Sequence, residues 1–168
     1  MSMLHSLLSH AHQHGLVSDA SAHCDIPCKI YDTVPISISA LTVVRMIDIL
    51  DDWRQHRPTD DVAFINSVAR AIAQKEEHAA SVKEQITVIW GDYFKQPQIE
   101  KFPQIHELTH SIMLKASAAK QGVSRDDAVQ LVELVNKFAE IFWETKGVKT
   151  KRAVCPYPPQ LEVVYPVL

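Results

Sequence analysis

The scarcity of helix-breaking residues constrains this 168-residue chain more than any other feature of its sequence. The chain has four glycines, and its nine prolines fall almost entirely between long stretches that lack both residue types. Each stretch is long enough for a helix of several turns, so the sequence predicts four long helices separated by short breaks. The predicted helices span residues 36–57, 59–90, 104–121 and 123–146.

Apolar residues recur within these stretches at helical spacing, which indicates one buried face on each helix. Amphipathic helices with short connections bury such faces best as an antiparallel four-helix bundle, so we expect an all-α fold. Asp60 and Asp61 near the start of the second helix, and Ser124 at the start of the fourth, predict helix N-termini. The predicted core comprises Val43, Ile47, Leu50 and Trp53 in the first helix; Val62, Ile65, Ala69, Ile72, Ala79, Ile86, Trp90 and Tyr93 in the second; Ile105, Leu108, Ile112, Ala116 and Ala119 in the third; and Ala128, Leu131, Val132, Val135, Phe138, Ala139 and Phe142 in the fourth.

Charge and hydropathy argue against several classes of partner. The formal net charge is -3, which provides neither the basic surface of a nucleic-acid-binding protein nor an acidic tail. No run approaches the roughly 18 apolar residues that a membrane span needs. We therefore expect a soluble, cytoplasmic protein without nucleic-acid or membrane partners.

The two ends of the chain differ from the helical middle. Residues 1–22 contain no lysine or arginine and end in small residues, which is typical of an exposed leader that a protease can remove. Residues 152–168 contain four prolines among apolar residues, so we expect an extended arm or a flexible tail there. The predicted organisation is a leader over 1–22, a helical domain over 23–147 and a proline-rich extension over 148–168.

The string just after the predicted leader carries metal-binding chemistry. His23, Cys24 and Cys28 bring one imidazole and two thiols within six residues, on a turn that Pro27 favours. Thiolate and imidazole donors suit zinc, copper or nickel rather than magnesium or calcium. These side chains alone do not complete a tetrahedral zinc site, so a structural zinc clip completed from elsewhere and a labile Cys24–Cys28 disulfide are alternatives.

Cleavage before His23 would change this donor set. The new α-amine, the Cys24 amide nitrogen and the Cys24 thiolate would then form two fused five-membered chelate rings around one metal ion. Cys28 would complete the square, and the His23 imidazole can reach an axial position. A tetragonal field of nitrogen and sulfur favours nickel or copper(II), and its strong donation stabilises a higher oxidation state. The string therefore predicts a redox-active metal hook.

Residues 23–32, His-Cys-Asp-Ile-Pro-Cys-Lys-Ile-Tyr-Asp, resemble the nickel-binding hook of the nickel superoxide dismutase family. The resemblance extends over residues 20–147. It implies a four-helix bundle, a homohexamer of such bundles, a leader removed by a maturation protease, and conversion of superoxide to oxygen and hydrogen peroxide by Ni(II)/Ni(III) cycling. The later segments that are similar to the family in order and spacing are 90–95, 100–103, 117–120 and 141–146.

The resemblance also implies roles for individual residues. The His23 amine and imidazole, the Cys24 amide and thiolate, and the Cys28 thiolate would bind the nickel ion. Tyr31 would lie over the open face of the metal, where its hydroxyl holds water or an anion. Asp25 would help to fix the turn.

Four positions depart from the family pattern. Lys29 replaces a glycine, Thr33 a proline, Ser39 the glutamate that helps orient the axial histidine, and His78 the arginine of that network. If the glycine serves a positive φ, lysine costs about 1 kcal/mol or more there. Otherwise its ammonium attracts superoxide, which we favour because lysine is disfavoured at positive φ. The departures leave one alternative function, a catalytically silent nickel-binding or helical assembly protein.

The remaining metal-ligating and aromatic residues receive structural interpretations. His106 and His110 share one helix face and are assigned to the helix surface, with a fortuitous zinc site as the alternative. Cys155 is interpreted as a bystander thiol. The helix-borne aromatic residues assigned to the core or to a subunit interface are Trp90, Tyr93, Phe94, Phe142 and Trp143.

Overall fold

Four long helices, a π-helical turn, a short helix and a two-stranded sheet follow one another in the computed structural model, which describes residues 28–56 and 61–168. The predicted leader lies outside the described residues. No helix within the two described ranges combines the length and apolarity that a membrane crossing needs. The elements are α1 (Val34–His56), α2 (Val62–Val88), the π-helical turn (Ile89–Tyr93), α3 (Gln96–Lys101), α4 (Ile105–Gln121), α5 (Arg125–Thr145), β1 (Thr150–Val154) and β2 (Glu162–Pro166).

The four long helices form the predicted bundle, and their bounds lie close to the predicted ones. α1 packs against α2 and α5, and α4 packs against the same two helices, so the four close into a ring. Arg125, the first residue of α5, lies 2.7 Å from Asp48 in the C-terminal half of α1, as an antiparallel arrangement requires. All seven predicted core residues of α5 are buried. The helical periodicity therefore identifies the buried face of α5 correctly.

The start of α2 departs from the predicted core. Val62 and Ile65 are 79% and 57% exposed, and Ala69 is exposed as well, although their spacing continues the apolar face of the helix. Lys75 lies beside the C-terminus of α4, where its ammonium contacts the Ala119 and Lys120 carbonyls. The turns of α2 before Lys75 extend past α4, which leaves part of their apolar face in solvent.

Two helix N-termini are capped by the side chains that the sequence predicts. Asp61 accepts a hydrogen bond from the Ala63 amide at 3.0 Å at the start of α2. Ser124 accepts one from the Asp127 amide at 3.2 Å at the start of α5. Lys115 donates to the Asp127 carboxylate at 2.8 Å, and this contact together with Ser124 holds the pKa of Asp127 below its usual value.

The proline-rich extension forms a β-hairpin that docks on α5. β1 and β2 pair antiparallel, from Thr150 opposite Pro166 to Val154 opposite Glu162. The buried Asn136 side chain of α5 donates to the Glu162 carbonyl at 2.9 Å and accepts from the Val164 amide at 3.1 Å. The extension is extended, as predicted, but it belongs to the folded unit and is neither a free arm nor a flexible tail.

Charged and apolar contacts reinforce this docking. Arg152 in β1 lies 2.7 Å from both Glu133 and Glu140 of α5. Val163 is buried against the helix, and so is Cys155, whose thiol donates to the Tyr157 carbonyl at 3.2 Å. Cys155 is therefore a packed residue of the hairpin.

Lys75 is a buried charge that ties α2 to the end of α4. Its side chain is 1% exposed, and its ammonium donates to the carbonyls of Ala119, Lys120 and Gly122 at 2.8, 2.5 and 2.6 Å. The last carbonyls of a helix have no partner within the helix and carry partial negative charge. One lysine thus supplies the missing donor for two carbonyls at the end of α4 and for that of Gly122, which directly follows the helix.

Lys75→Met should destabilise the bundle by about 3 kcal/mol, because it leaves these carbonyls without their donor in a site closed to water. The free energy of unfolding from urea titration measures the loss. Lys83→Met on the same helix is the matched control. The Lys83 ammonium donates to the Ser117 side-chain hydroxyl at 3.1 Å and not to carbonyls at a helix end. A loss for Lys75→Met no larger than that of the control would contradict the capping role.

Candidate metal centre

The end of the predicted hook lies on an aromatic cluster at one end of the bundle. The Tyr31 ring centroid is 5.7 Å from that of Tyr93, in the turn that follows α2. Tyr93 in turn packs 5.0 Å from Phe142 in α5 and 5.3 Å from Phe94. The segment before α1 is therefore supported where α1 begins and where α2 and α5 end.

The structure describes two of the predicted site residues, Cys28 and Tyr31. The Cys28 side chain is exposed, and Tyr31 is half-buried. His23, Cys24 and Asp25 lie outside the described residues, so the structure does not test how these five residues come together. Across residues 28–56 and 61–168, no three side chains among His, Cys, Asp and Glu gather closely enough to hold a metal ion.

Tyr93 packs against Tyr31, a contact that the sequence analysis missed because the spacing of Tyr93 assigned it to the core or an interface. Its hydroxyl lies 2.6 Å from the Thr145 hydroxyl, which donates to the Phe142 carbonyl. The Lys146 ammonium lies 4.8 Å from the Tyr93 ring centroid, at cation–π distance. Tyr93 is thus fixed on its α5 side and presents its ring to Tyr31. Gly91 was the sequence signal that could have indicated this contact. It marks the end of α2, which in an antiparallel bundle lies beside the start of α1.

Lys29 adopts the left-handed conformation, with φ of +59°. The expectation that a lysine would not persist at a positive φ is therefore wrong. The Cβ of any residue other than glycine is crowded in this region, which costs about 1 kcal/mol or more. Asp32 then ends the segment, because its carboxylate accepts from the Val34 amide at 2.9 Å where α1 starts.

Comparison with known proteins decides the family. The sequence profile of nickel-containing superoxide dismutase matches residues 18–146. The chain belongs to this family. It is 34% identical to the superoxide dismutase [Ni] of Streptomyces coelicolor over 126 residues, which cover 75% of this chain and 89% of that protein. The identity to the enzyme of Streptomyces seoulensis is 33% over the same length.

Solved structures give the same result. A native nickel superoxide dismutase matches with a TM-score of 0.64 and 33% identity, covering 74% of this chain and 99% of that one. A structure whose nickel ligation corresponds to the oxidized state matches with a TM-score of 0.65 and 32% identity over the same shares. The family profile ends before β1, so the docked hairpin lies outside the segment that this chain matches to the profile.

Two departures from the nickel superoxide dismutase pattern, Ser39 and His78, lie on the neighbouring helices α1 and α2. The buried Ser39 hydroxyl lies 3.3 Å from the Ser81 hydroxyl and accepts from the Gln85 carboxamide at 3.4 Å. His78, one turn before Ser81, has its Nδ1 2.8 Å from the Gln74 carbonyl of its own helix. An uncharged network of hydroxyls and an amide thus surrounds Ser39, where the family resemblance implies a glutamate, and His78 takes no part in it.

His106 serves as a hydrogen-bond partner within the bundle surface. Its Nδ1 accepts from the Trp90 indole at 3.0 Å, and the two rings meet edge to face. His106 and His110 are both exposed. These contacts agree with the interpretation of the two histidines as residues of the helix surface.

Proposed function

We propose that this chain is a nickel-dependent superoxide dismutase, which converts superoxide to oxygen and hydrogen peroxide. The observation that carries the proposal is the match of one continuous segment, residues 18–146, to the nickel-containing superoxide dismutase family. Nickel, when bound, supplies the one-electron chemistry by moving between Ni(II) and Ni(III).

The donor chemistry of the hook fits nickel. His23, Cys24 and Cys28 provide thiolate, imidazole and, once the leader is removed, amine and amide nitrogen donors, which suit a tetragonal nickel ion. The exposed Cys28 thiol is open to a metal ion at the start of the described chain. We propose these three residues as the metal ligands and Asp25 as the residue that fixes the turn.

Tyr31 has a positioning role in this proposal. Its ring is held against Tyr93, which Thr145 and Lys146 fix from α5. A phenol held in this way can keep water or a small anion beside the metal and limit the approach of larger ligands.

Removal of residues 1–22 by a maturation protease belongs to the same proposal, since a free His23 amine would add a nitrogen donor for nickel that the uncleaved chain lacks at this position. We further propose a cytoplasmic homohexamer. Apolar side chains beside the hook support self-association, because Ile30 and Ile38 are 76% and 49% exposed. A groove of about 570 Å³ beside them is lined by Tyr31, Glu84 and Gln85 among others.

Cys24→Ser and Cys28→Ser should each abolish nickel binding and dismutase activity, because a hydroxyl is a much poorer nickel ligand than a thiolate. The helices should remain folded, since Cys28 lies outside the buried core. Metal analysis, a superoxide assay and circular dichroism measure the three properties. Tyr31→Phe should have a smaller effect than either substitution.

Cys155→Ser is the matched control for these variants, and it should keep both nickel and activity because Cys155 lies in the hairpin. Loss of the bundle in the Cys24 or Cys28 variant would indicate a structural clip instead. A wild-type protein that binds nickel but removes superoxide no faster than its metal-free form would favour the catalytically silent alternative.

The native, active protein should begin at His23. Intact-mass spectrometry under non-denaturing conditions gives the N-terminus and the bound metal in one experiment. A chain that keeps any of residues 1–22 offers an amide or a distant amine in place of the required donor. Full activity in such a chain would contradict the proposed ligand set.

A further inference from the structure

Lys29 stands at a position where the backbone favours another residue type. Lys29 and Gln160 are the two residues other than glycine with positive φ in the described ranges. Glycine adopts this conformation without crowding, and asparagine does so more readily than lysine. Backbone strain of this kind is concentrated at functional sites, where the side chain has a use. What lysine adds over glycine or asparagine is a long side chain with a positive charge.

The surroundings leave that charge available. Lys29 directly follows Cys28, and both side chains are exposed. Among the described residues, no carboxylate forms a salt bridge with the Lys29 ammonium. A cation on a protein of net charge -3 creates a local positive field within about one Debye length, roughly 8 Å at physiological salt.

We propose that Lys29 is a specificity residue that attracts the superoxide anion to the hook. This proposal rests on the proposed function. Superoxide is a small anion that arrives by diffusion, and a positive charge beside the reaction centre raises its encounter rate. Lysine then occupies this left-handed position because its charge is used there, although the backbone conformation disfavours it.

Three substitutions separate charge from backbone strain. Lys29→Asn removes the charge and places a residue that tolerates positive φ. Lys29→Gly removes the charge and all backbone crowding. Lys29→Arg keeps both the charge and the crowding. Arg54→Gln is the control for loss of one positive charge, since Arg54 is exposed near the other end of α1. The rate constant for superoxide loss, normalised to bound nickel, is measured for each over a range of ionic strength.

Lys29→Asn and Lys29→Gly should lower the low-salt rate constant by about twofold, as expected for one charge at a distance of several ångströms in water. Their rates should also fall less steeply with ionic strength than that of the wild type. Lys29→Arg and Arg54→Gln should follow the wild type. An unchanged salt slope in Lys29→Asn and Lys29→Gly would overturn the proposal.

Nickel affinity of the metal-free mature protein gives a second readout that does not depend on turnover. Because Ni²⁺ is a cation, loss of the Lys29 charge should tighten binding by about twofold or more at low salt, and the difference should vanish at high salt. Competition with a chelator measures this affinity. Tighter binding by Lys29→Gly alone, equal at all salt concentrations, would show that strain dominates and would refute the charge role.

These outcomes are distinct from failure of the proposed function. A wild-type protein that shows no nickel-dependent dismutation refutes the function itself. An active wild type whose salt dependence is shared by Lys29→Asn refutes only the role of Lys29.

Discussion

The apolar face of α5 is the constraint on which the rest of the structure depends. Phe138 and Phe142 are fully buried, and they contact Phe94 and Tyr93 from the segment after α2. The same helix holds the hairpin on another face through Asn136. Bundle closure, the contacts of Tyr31 and docking of the extension therefore all involve one helix, and burial of its aromatic side chains contributes to stability.

The support for the hook follows from this arrangement. An antiparallel bundle places the start of α1 beside the ends of α2 and α5, so Tyr93 can lie between Tyr31 and Phe142. The aromatic contacts hold Tyr31 at this end of the bundle, while Cys28, three residues earlier, is exposed.

Periodicity alone was sufficient to predict the bundle and most of its core. It failed at Val62 and Ile65, because the spacing of apolar residues does not say how far the neighbouring helices extend. The hairpin was only partly predictable. Proline excluded a helix, but the docking of the hairpin depends on contacts with Glu133, Asn136 and Glu140 of α5, which no pattern within the extension itself reveals. The role of Tyr93 was hidden for the same reason.

The candidate site was predicted from a short string of donors, and the family comparison identifies the chemistry that such donors serve. The φ of Lys29 was beyond sequence reasoning, since a lysine argues against the conformation that it adopts. Ser39, Ser81 and Gln85 likewise form an uncharged network that only the packing of α1 on α2 reveals. This family member thus departs from the family pattern at Lys29 and Ser39, while its helical bundle keeps the family fold.

Metal dependence of the dismutase rate tests the central claim most directly. The mature protein is stripped with a chelator, reloaded separately with nickel, copper or zinc, and its superoxide decay is followed after pulse radiolysis. The account predicts a rate proportional to bound nickel up to one ion per chain, and no rate above that of the stripped protein with copper or zinc. Equal activity in the copper form, or activity that survives removal of all metal, would contradict it.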